Sequence, residues 1–486
     1  MVLMTLPPLF EDYTRRLMGP SLYEKLIESL GQDAPASIRL NPFKPIIPEQ
    51  EQILNADIRQ ASRVPWCDTG LILPNRPNFT FDPLLHAGLY YVQESSSMFI
   101  SEVLRQLVHE PVAMLDLCAA PGGKTTATRA ALPEGSLLFT NEPMKLRASI
   151  LSENVQKFGH SDVIVTNNYP KDYRKAGQLF DIILADVPCS GEGMFRKDPN
   201  AIDEWSSQNV EQCTALQRSI IEDIWPCLRE GGLLVYSTCT FNAHENEENV
   251  NWIAQNLGAD FVQLEIPDEW NITGSLIDSN PVYRFIPGLT PGEGLFTAVL
   301  RKHGESENIL KKACKATIKA TGCKRSKGKR SVSAPSVDIA KTTSWLKDNF
   351  TIINEEDCIK AIPKWWTPMY NRIKTSLHVI HAGVKMGYIK GRDVVPDISL
   401  ALSTALNTSA FPCAELTYAD ALNYLRKEAV TLNAGVPRGI VIVTYRQQPL
   451  GFVKNIGNRA NNLYPQEWKI KSSHLQPLIS ILKIKS

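Results

Sequence analysis

Leu115-Asp116-Leu117-Cys118-Ala119-Ala120-Pro121-Gly122-Gly123-Lys124-Thr125 decides how the rest of this 486-residue chain is read. An apolar strand runs into a tight turn of small residues, and a helix begins at the glycine pair. Glycines there let backbone approach a ligand closely, and the free N–H groups of a helix N-terminus point at it. In an open α/β sheet that position, beyond the carboxyl ends of the strands, is where cofactors bind. The segment is neither the dinucleotide pattern G-x-G-x-x-G nor a phosphate loop, because Gly-Gly-Lys-Thr lacks the earlier glycine. Nicotinamide and ATP are disfavoured. Glu142 follows Asp116 by 26 residues and ends the next candidate strand, where a carboxylate can grip a ribose diol.

Outward from this turn the texture is apolar strands alternating with helices. Candidate strands are Val112–Leu117, Ser136–Asn141, Asp162–Thr166, Phe180–Ala185, Gly232–Ser237 and Leu295–Leu300, with helices such as Lys124–Leu132 and Ala215–Leu228 between them. That alternation predicts a parallel, doubly wound α/β sheet over residues 101–303. Residues 1–100 open with helical spacing at Leu9, Phe10, Tyr13, Leu17, Leu22, Leu26, Ile27 and Leu30, then an extended Ser37–Asn41 stopped by Pro42. They form an accessory domain in this reading. Residues 304–340 read as a linker, since Lys311–Arg330 holds nine Lys/Arg and no acid. A solvated tether and a phosphate-attracting segment both fit it. A small α+β domain over 341–400, with strand-like Ser376–Ile380, and a β domain over 401–486 follow. The latter contains a hairpin, Gly439–Tyr445 and Leu450–Asn455 around Arg446-Gln447-Gln448-Pro449.

Composition narrows the class. A 43% hydrophobic and 21% charged chain can bury sizeable cores, and no run approaches the roughly 20 apolar residues of a membrane helix. Glu11 and Asp12 come too early for a secretory signal. The ten cysteines are scattered, which argues for a reducing compartment, with the cytoplasm the default. No Cys-x-x-Cys pair exists, so no metal site is expected.

Two cysteines stand apart from the rest. Asp186-Val187-Pro188-Cys189-Ser190-Gly191 follows the strand Ile182–Ala185, and Ser237-Thr238-Cys239-Thr240 ends the next one. Adjacent parallel strands would place both thiols and Asp186 on one rim beside the cofactor. Cys67, Cys118, Cys213, Cys227, Cys358 and Cys413 read instead as small buried residues. Thiols beside an acid suit one reaction. Carbon 5 of cytosine is a poor nucleophile until a thiolate adds to carbon 6; it can then attack an electrophilic methyl. The base must first leave its stack.

Asp116–Thr125, Asp186–Gly193 and Ser237–Thr240 together resemble the motifs of RNA cytosine-C5 methyltransferases of the Nol/Nop/Sun type. Tyr90–Met98 looks like the family's entry segment, and Pro291–Phe296 is similar to its closing strand motif. Met194–Pro199 and Glu204-Trp205-Ser206 resemble its bacterial small-subunit rRNA branch, as does a PUA-like tail at Gly439–Gly451 and Asn461–Pro465. The likeness is strong over 90–300 and weaker after 340.

The resemblance implies a class I (Rossmann-like) S-adenosylmethionine methyltransferase core, with an N-terminal helical/mixed domain and C-terminal small α+β and PUA-like β domains. It implies Cys239 as nucleophile and Cys189 in product release. Asp186 would face cofactor and cytosine, its carboxyl kept protonated by burial, and Lys124 would lie between the two. Cys118, Ala119, Ala120, Pro121, Gly122, Gly123 and Lys124 would hold the methionine part of the cofactor, with Glu142 on the ribose and Asp186 nearby. Arg147 is either a further contact or a helix-surface arginine. The aspartate that often meets the adenine is absent from Thr166-Asn167-Asn168-Tyr169-Pro170, so Asn167 or Asn168, with Asn168 preferred, must substitute. Val187 stands where alanine is commoner, and Gly288 where histidine is. The implied substrate is a cytosine in small-subunit (16S) ribosomal RNA, naked or in an assembled particle, met by a monomer with no membrane and no metal. Two alternatives stay open: tRNA cytosine methylation, and an idle RNA-binding assembly factor, which would have no need of two positioned thiols. DNA methylation is disfavoured, because its enzymes attack with the Pro-Cys thiol.

Overall fold

Residues 5–44, 61–312, 342–347, 349–355, 357–391 and 393–472 are described by the computed structural model. Its centre is one sheet of β1 (Ala113–Asp116), β2 (Leu137–Asn141), β3 (Val163–Thr166), β4 (Phe180–Asp186), β5 (Leu228–Thr238), β6 (Ala259–Phe261), β7 (Val282–Phe285), β8 (Leu295–Lys302) and β9 (Val379–Ala382). The order is β6-β8-β5-β4-β1-β2-β3-β9, with β7 also on β8. β3, β2, β1, β4 and β5 run parallel. Helices cover both faces of these strands, so β1, β2 and β3 are buried at every residue, and their near-continuous apolar sequence follows.

The sheet is parallel only at its centre. β8 lies antiparallel to β5, because the helix Glu247–Leu257 carries the chain over to β6, and β8 then returns antiparallel to β6 and β7 and inserts beside β5. β9, from the segment read as a separate small domain, pairs antiparallel with β3. Two further bonds fasten that segment to the core: Trp366 Nε1 donates to Asp162 Oδ1 at 3.0 Å, and Arg372 Nη2 to Gln178 Oε1 at 3.1 Å. The strand expected at Ser376–Ile380 therefore lies slightly later and belongs to the central sheet.

The helix expected at Ala215–Leu228 spans Ser207–Ile224 instead. Ser206 caps it, its hydroxyl accepting from Asn209 N at 3.1 Å, and Pro226 stands just beyond its end. Residues 304–312, placed in the linker by their sequence, stay on the core: Leu310 is buried, Ile309 N donates to Asp181 Oδ1 at 3.0 Å, and Lys311 pairs with Glu110 at 2.6 Å. From 313 to 341 the basic stretch lies outside the described residues.

The N-terminal arm, Pro8–Leu30, is helical but broken at Gly19, whose φ of 72° precedes Pro20. A four-stranded sheet follows: Ser62–Val64, Cys67–Leu73, Ala36–Leu40 and Tyr90–Val92 in spatial order. Buried Arg39 ties it to the core, its guanidinium donating to Gln93 Oε1 at 2.8 Å and to Thr126 Oγ1 at 2.5 Å.

A second small sheet holds Phe350–Glu355, Cys358–Pro363, Val384–Lys390 and Asp393–Pro396; a third holds Cys413–Glu415, Gly439–Tyr445, Gln448–Asn455 and Ala460–Asn462. The hairpin turn is tighter than its sequence suggests. Arg446 and Gln447, at φ 49° and 61°, make a two-residue turn whose twist matches the strands, and Gln448-Pro449 join the second strand. This third sheet packs back on the N-terminal one. Ile38, Leu84 and Tyr90 share one apolar cluster with Tyr424, Val441 and Leu450, and Tyr418 Oη donates to Phe81 O at 3.1 Å. Among the described residues, no helix is long and apolar enough to cross a membrane.

Candidate active site

The glycine turn is held open by its neighbours. Ala119 N donates to Asn141 O at 2.8 Å, and Asn141 Nδ2 returns a bond to Leu117 O at 3.1 Å. Gly122 sits at φ 113°, a conformation a side chain would strain, and the helix Gly123–Ala131 starts there. Asn154 Nδ2 and Arg147 Nη2 bind the Pro121 and Ala120 carbonyls at 2.8 and 3.0 Å. Arg147 thus braces the turn, and its guanidinium also lies 3.6 Å from Glu142. The Glu142 side chain is only 2% exposed, with Oε1 accepting from Met144 N at 2.9 Å. Beneath the turn, burial raises the Asp116 carboxyl to about 7, against a 2.6 Å bond from Thr125 Oγ1 that favours ionisation. Burial also pushes the Cys118 thiol up.

One of the two asparagines after β3 was expected at the adenine, and both side-chain amides bond to backbone. Asn168 Nδ2 donates to His378 O at 3.2 Å, and His378 N donates back to Asn168 Oδ1 at 3.1 Å. Its amide is the joint by which β9 docks, so the adenine contact assigned to Asn168 is not what this geometry supports. Asn167 Nδ2 donates to the carbonyls of Glu142 and Pro143, both at 2.8 Å.

β4 and β5 pair in parallel with Asp186 opposite Ser237, which brings the two cysteine loops to one rim. The Cys189 and Cys239 sulfurs are 3.1 Å apart, and Cys239 N donates to Cys189 Sγ at 3.4 Å. Hydrogen bonding to Cys239, reinforced by burial and the Cys239 charge, holds the Cys189 thiol well above its ordinary range. Lys124 Nζ meets Asp186 Oδ2 at 2.9 Å, and Ser237 Oγ donates to Oδ1 at 2.5 Å. Burial works to lower the Lys124 ammonium, but Asp186, with Cys239 and Glu94 further off, outweighs it and holds the ammonium above its ordinary value. Asp186 was expected as a carboxyl kept neutral by burial. It is instead 30% exposed and ion-paired, because Lys124 reaches it from the helix that follows the neighbouring β1.

Sequence reasoning missed the residues that stitch these loops together. Glu94 Oε1 accepts from Ser96 N and Glu293 N, and Oε2 from Ser97 N, each at 2.8 Å. Glu293 in turn pairs with Arg196 at 2.9 Å and Lys197 at 3.5 Å. The entry segment, the closing motif and the loop after Cys189 are thus one clasp. The one available signal was Gly292, where a Cβ would lie 2.4 Å from Glu94 Oε1. Among the described residues, no group of three or more His, Cys, Asp or Glu could hold a metal ion.

Comparison with known proteins finds three sequence families along the chain. Residues 104–301 match the 16S rRNA methyltransferase RsmB/F, residues 6–95 the N-terminal domain of 16S rRNA methyltransferase RsmF, and residues 411–470 the methyltransferase RsmF PUA domain. The ribosomal RNA small subunit methyltransferase F of Aliivibrio fischeri is 31% identical over 447 residues, 89% of this chain and 90% of that one. Its counterpart from Shigella boydii is 28% identical over 470 residues, 95% and 96% of the two chains. Among solved structures, a methyltransferase homolog protein from Pyrococcus horikoshii superposes with a TM-score of 0.52 at 25% identity, over 62% of this chain and 96% of that one. NSun6 from the same organism, solved with SFG, gives 0.51 at 21% identity over 62% and 100%, a likeness of fold.

Proposed function

Because the chain belongs to the RsmF branch of the 16S rRNA methyltransferases, we propose that it methylates carbon 5 of a cytosine in small-subunit ribosomal RNA through a covalent Cys239 adduct. The observation that carries this reading is the 3.1 Å contact between Cys189 and Cys239 on the rim that also bears the Lys124–Asp186 pair. A methyltransferase acting on an oxygen or an exocyclic nitrogen has no use for two touching thiols.

The residues fit S-adenosylmethionine as cofactor. The turn offers donors at a helix N-terminus, Gly122 leaves room for close approach, and the buried Glu142 carboxylate suits a ribose diol. When bound, the cofactor supplies an electrophilic methyl group. The protein does the rest. With Cys189 placed as a hydrogen-bond donor against the Cys239 sulfur, Cys239 is the thiol that adds to carbon 6. Asp186, anchored by Lys124 and Ser237, faces the nitrogen-3 edge, and the proton shared in the Lys124–Asp186 pair neutralises that nitrogen as the adduct forms. Carbon 5 then takes the methyl and gives its proton to a water acting as base at this partly exposed rim, nitrogen 3 returns its proton to the Lys124–Asp186 pair, and the Cys239–carbon 6 bond breaks as the ring double bond re-forms. The departing Cys239 thiolate accepts the Cys189 thiol hydrogen bond, which is the release role of Cys189.

The PUA-like sheet on the N-terminal sheet widens the surface available to a folded RNA, which is read through shape and exposed loop bases. Bisulfite sequencing of total RNA from cells lacking the protein tests the proposal. Loss of 5-methylcytosine from 16S rRNA is the expected result; unchanged rRNA with a lost tRNA signal would overturn the ribosomal assignment.

A further inference from the structure

The two cysteines sit on separate loops joined by no covalent link, and their contact has to be imposed by what lies beneath. Two buried carboxylates lie there. Glu192, three residues after Cys189, reaches the loop after Cys239: its Oε2 accepts from Phe241 N at 2.7 Å and Asn242 N at 2.9 Å. Glu245, six residues after Cys239, reaches back: its Oε2 accepts from Ser190 N at 3.0 Å. Each loop is thus gripped by an acid from the other. Asn242 Nδ2 joins the two acids, donating to Glu192 Oε1 at 3.1 Å and Glu245 Oε1 at 2.7 Å. The residues that follow the cysteines also meet, Ser190 Oγ to Thr240 Oγ1 at 2.9 Å.

The remaining lone pairs are met by Trp205 Nε1 on Glu192 at 3.0 Å and Gln217 Nε2 on Glu245 at 2.7 Å. All these donors are neutral. Glu192 and Glu245 are 1% and 0% exposed, and burying a carboxylate on neutral donors alone is costly, more so for two side by side. Burial duly raises the Glu245 carboxyl. An ordinary loop anchor needs neither charge. Close approach is demanded as well, since a Cβ on Gly193 would lie 2.7 Å from Cys239 O.

We propose that Glu192 and Glu245 are positioning residues that fix the Cys189–Cys239 separation, and through it the rate at which the Cys239–carbon 6 bond is released. The proposal rests on the two-thiol reading above. It says that the loops, left to themselves, would part and leave Cys239 without its thiol donor. A displacement of about 1 Å costs roughly 100-fold in a positioned reaction.

The test uses the full-length enzyme with Glu192→Gln and Glu245→Gln, which keep shape while placing a donor against an N–H. Glu245→Asp keeps the charge, and Asn242→Ala removes the shared donor should a Gln variant fail to fold. Expected are a kcat lowered roughly 100-fold with KM for RNA and for S-adenosylmethionine not raised, and partial recovery in Glu245→Asp. A second readout owes nothing to methylation: the rate at which diamide oxidises Cys189 and Cys239 to a disulfide, followed by mass spectrometry of the joined peptides. It should slow at least about tenfold in folded variants. Wild-type oxidation rates, or a raised KM for RNA with kcat intact, would overturn the proposal. Failure of the two-thiol reading looks different: Cys239→Ala would keep methylating while the diamide rates still slowed.

Discussion

Asn168 and His378, 210 residues apart, are joined by a pair of hydrogen bonds between a side-chain amide and a backbone, at 3.2 and 3.1 Å. Asn167 N adds a third, to His378 O at 3.0 Å, so the strand Val379–Ala382 docks where the chain leaves β3. Two neutral bonds are worth about 1–3 kcal/mol together. Asn168→Ala should lose that much in urea denaturation and speed hydrogen exchange over residues 379–382, with S-adenosylmethionine affinity little changed. A tenfold loss of cofactor affinity with exchange unaltered would return Asn168 to the adenine.

Asp116 gives the fold a pH dependence whose sign follows from its burial. Its carboxyl titrates at about 7 in the folded chain against 3.8 when free. Between those values the folded state holds a proton that the unfolded state has released, so this group's contribution falls as pH rises through the window and is flat above it. Asp116→Asn has no such proton. The stability of wild type relative to the variant should therefore decline by about 4 kcal/mol from about pH 4 to about pH 7. Urea midpoints of both proteins across that range measure it; parallel curves would show that Asp116 is ionised throughout.

What could be read in the sequence is what local chemistry dictates. The strand, glycine turn and helix around Gly122 are written in consecutive residues, and so are the cysteine loops, whose meeting needs only that β4 and β5 be neighbours. The Glu94 and Glu293 clasp joins residues 199 apart, and the Asn168–His378 joint 210. No periodicity marks such pairs. Asp186 shows the same limit: its position could be read, but whether it stands neutral or ion-paired depended on where the Lys124 ammonium falls. The segment around β9 looked independent because the small sheet formed on either side of it is self-contained, while the strand that enters the core sheet is only Val379–Ala382.

Glu142 should carry the ribose end of the cofactor. Its buried carboxylate has Met144 N on Oε1 and the Arg147 guanidinium 3.6 Å from Oε2, an arrangement that holds it ready for a diol. Hydrogen bonds to a charged acceptor are worth about 1.5–3 kcal/mol, or roughly 10- to 100-fold in affinity. Glu142→Ala should weaken S-adenosylmethionine binding by that factor in calorimetry. Arg147→Ala should do so less, because Arg147 acts through Glu142 and the turn's carbonyls. Equal affinities for Glu142→Ala and wild type would remove Glu142 from the site.

The two thiols should part company when each is removed. Without Cys239 no bond to carbon 6 can form, so Cys239→Ala should give neither methylated RNA nor a denaturation-resistant complex. Without Cys189 the attack survives, since the Cys239 thiolate and the Lys124–Asp186 pair remain. The step that suffers is departure, where the leaving thiolate would find no donor 3.1 Å away. Cys189→Ala should therefore accumulate covalent RNA–protein complex, seen as a shifted band on a denaturing gel that depends on S-adenosylmethionine and disappears in the double variant. The opposite pattern, with adduct trapped by Cys239→Ala, would make Cys189 the nucleophile. It would also mean that a thiol held protonated in the free protein is activated only once RNA displaces its contact with Cys239.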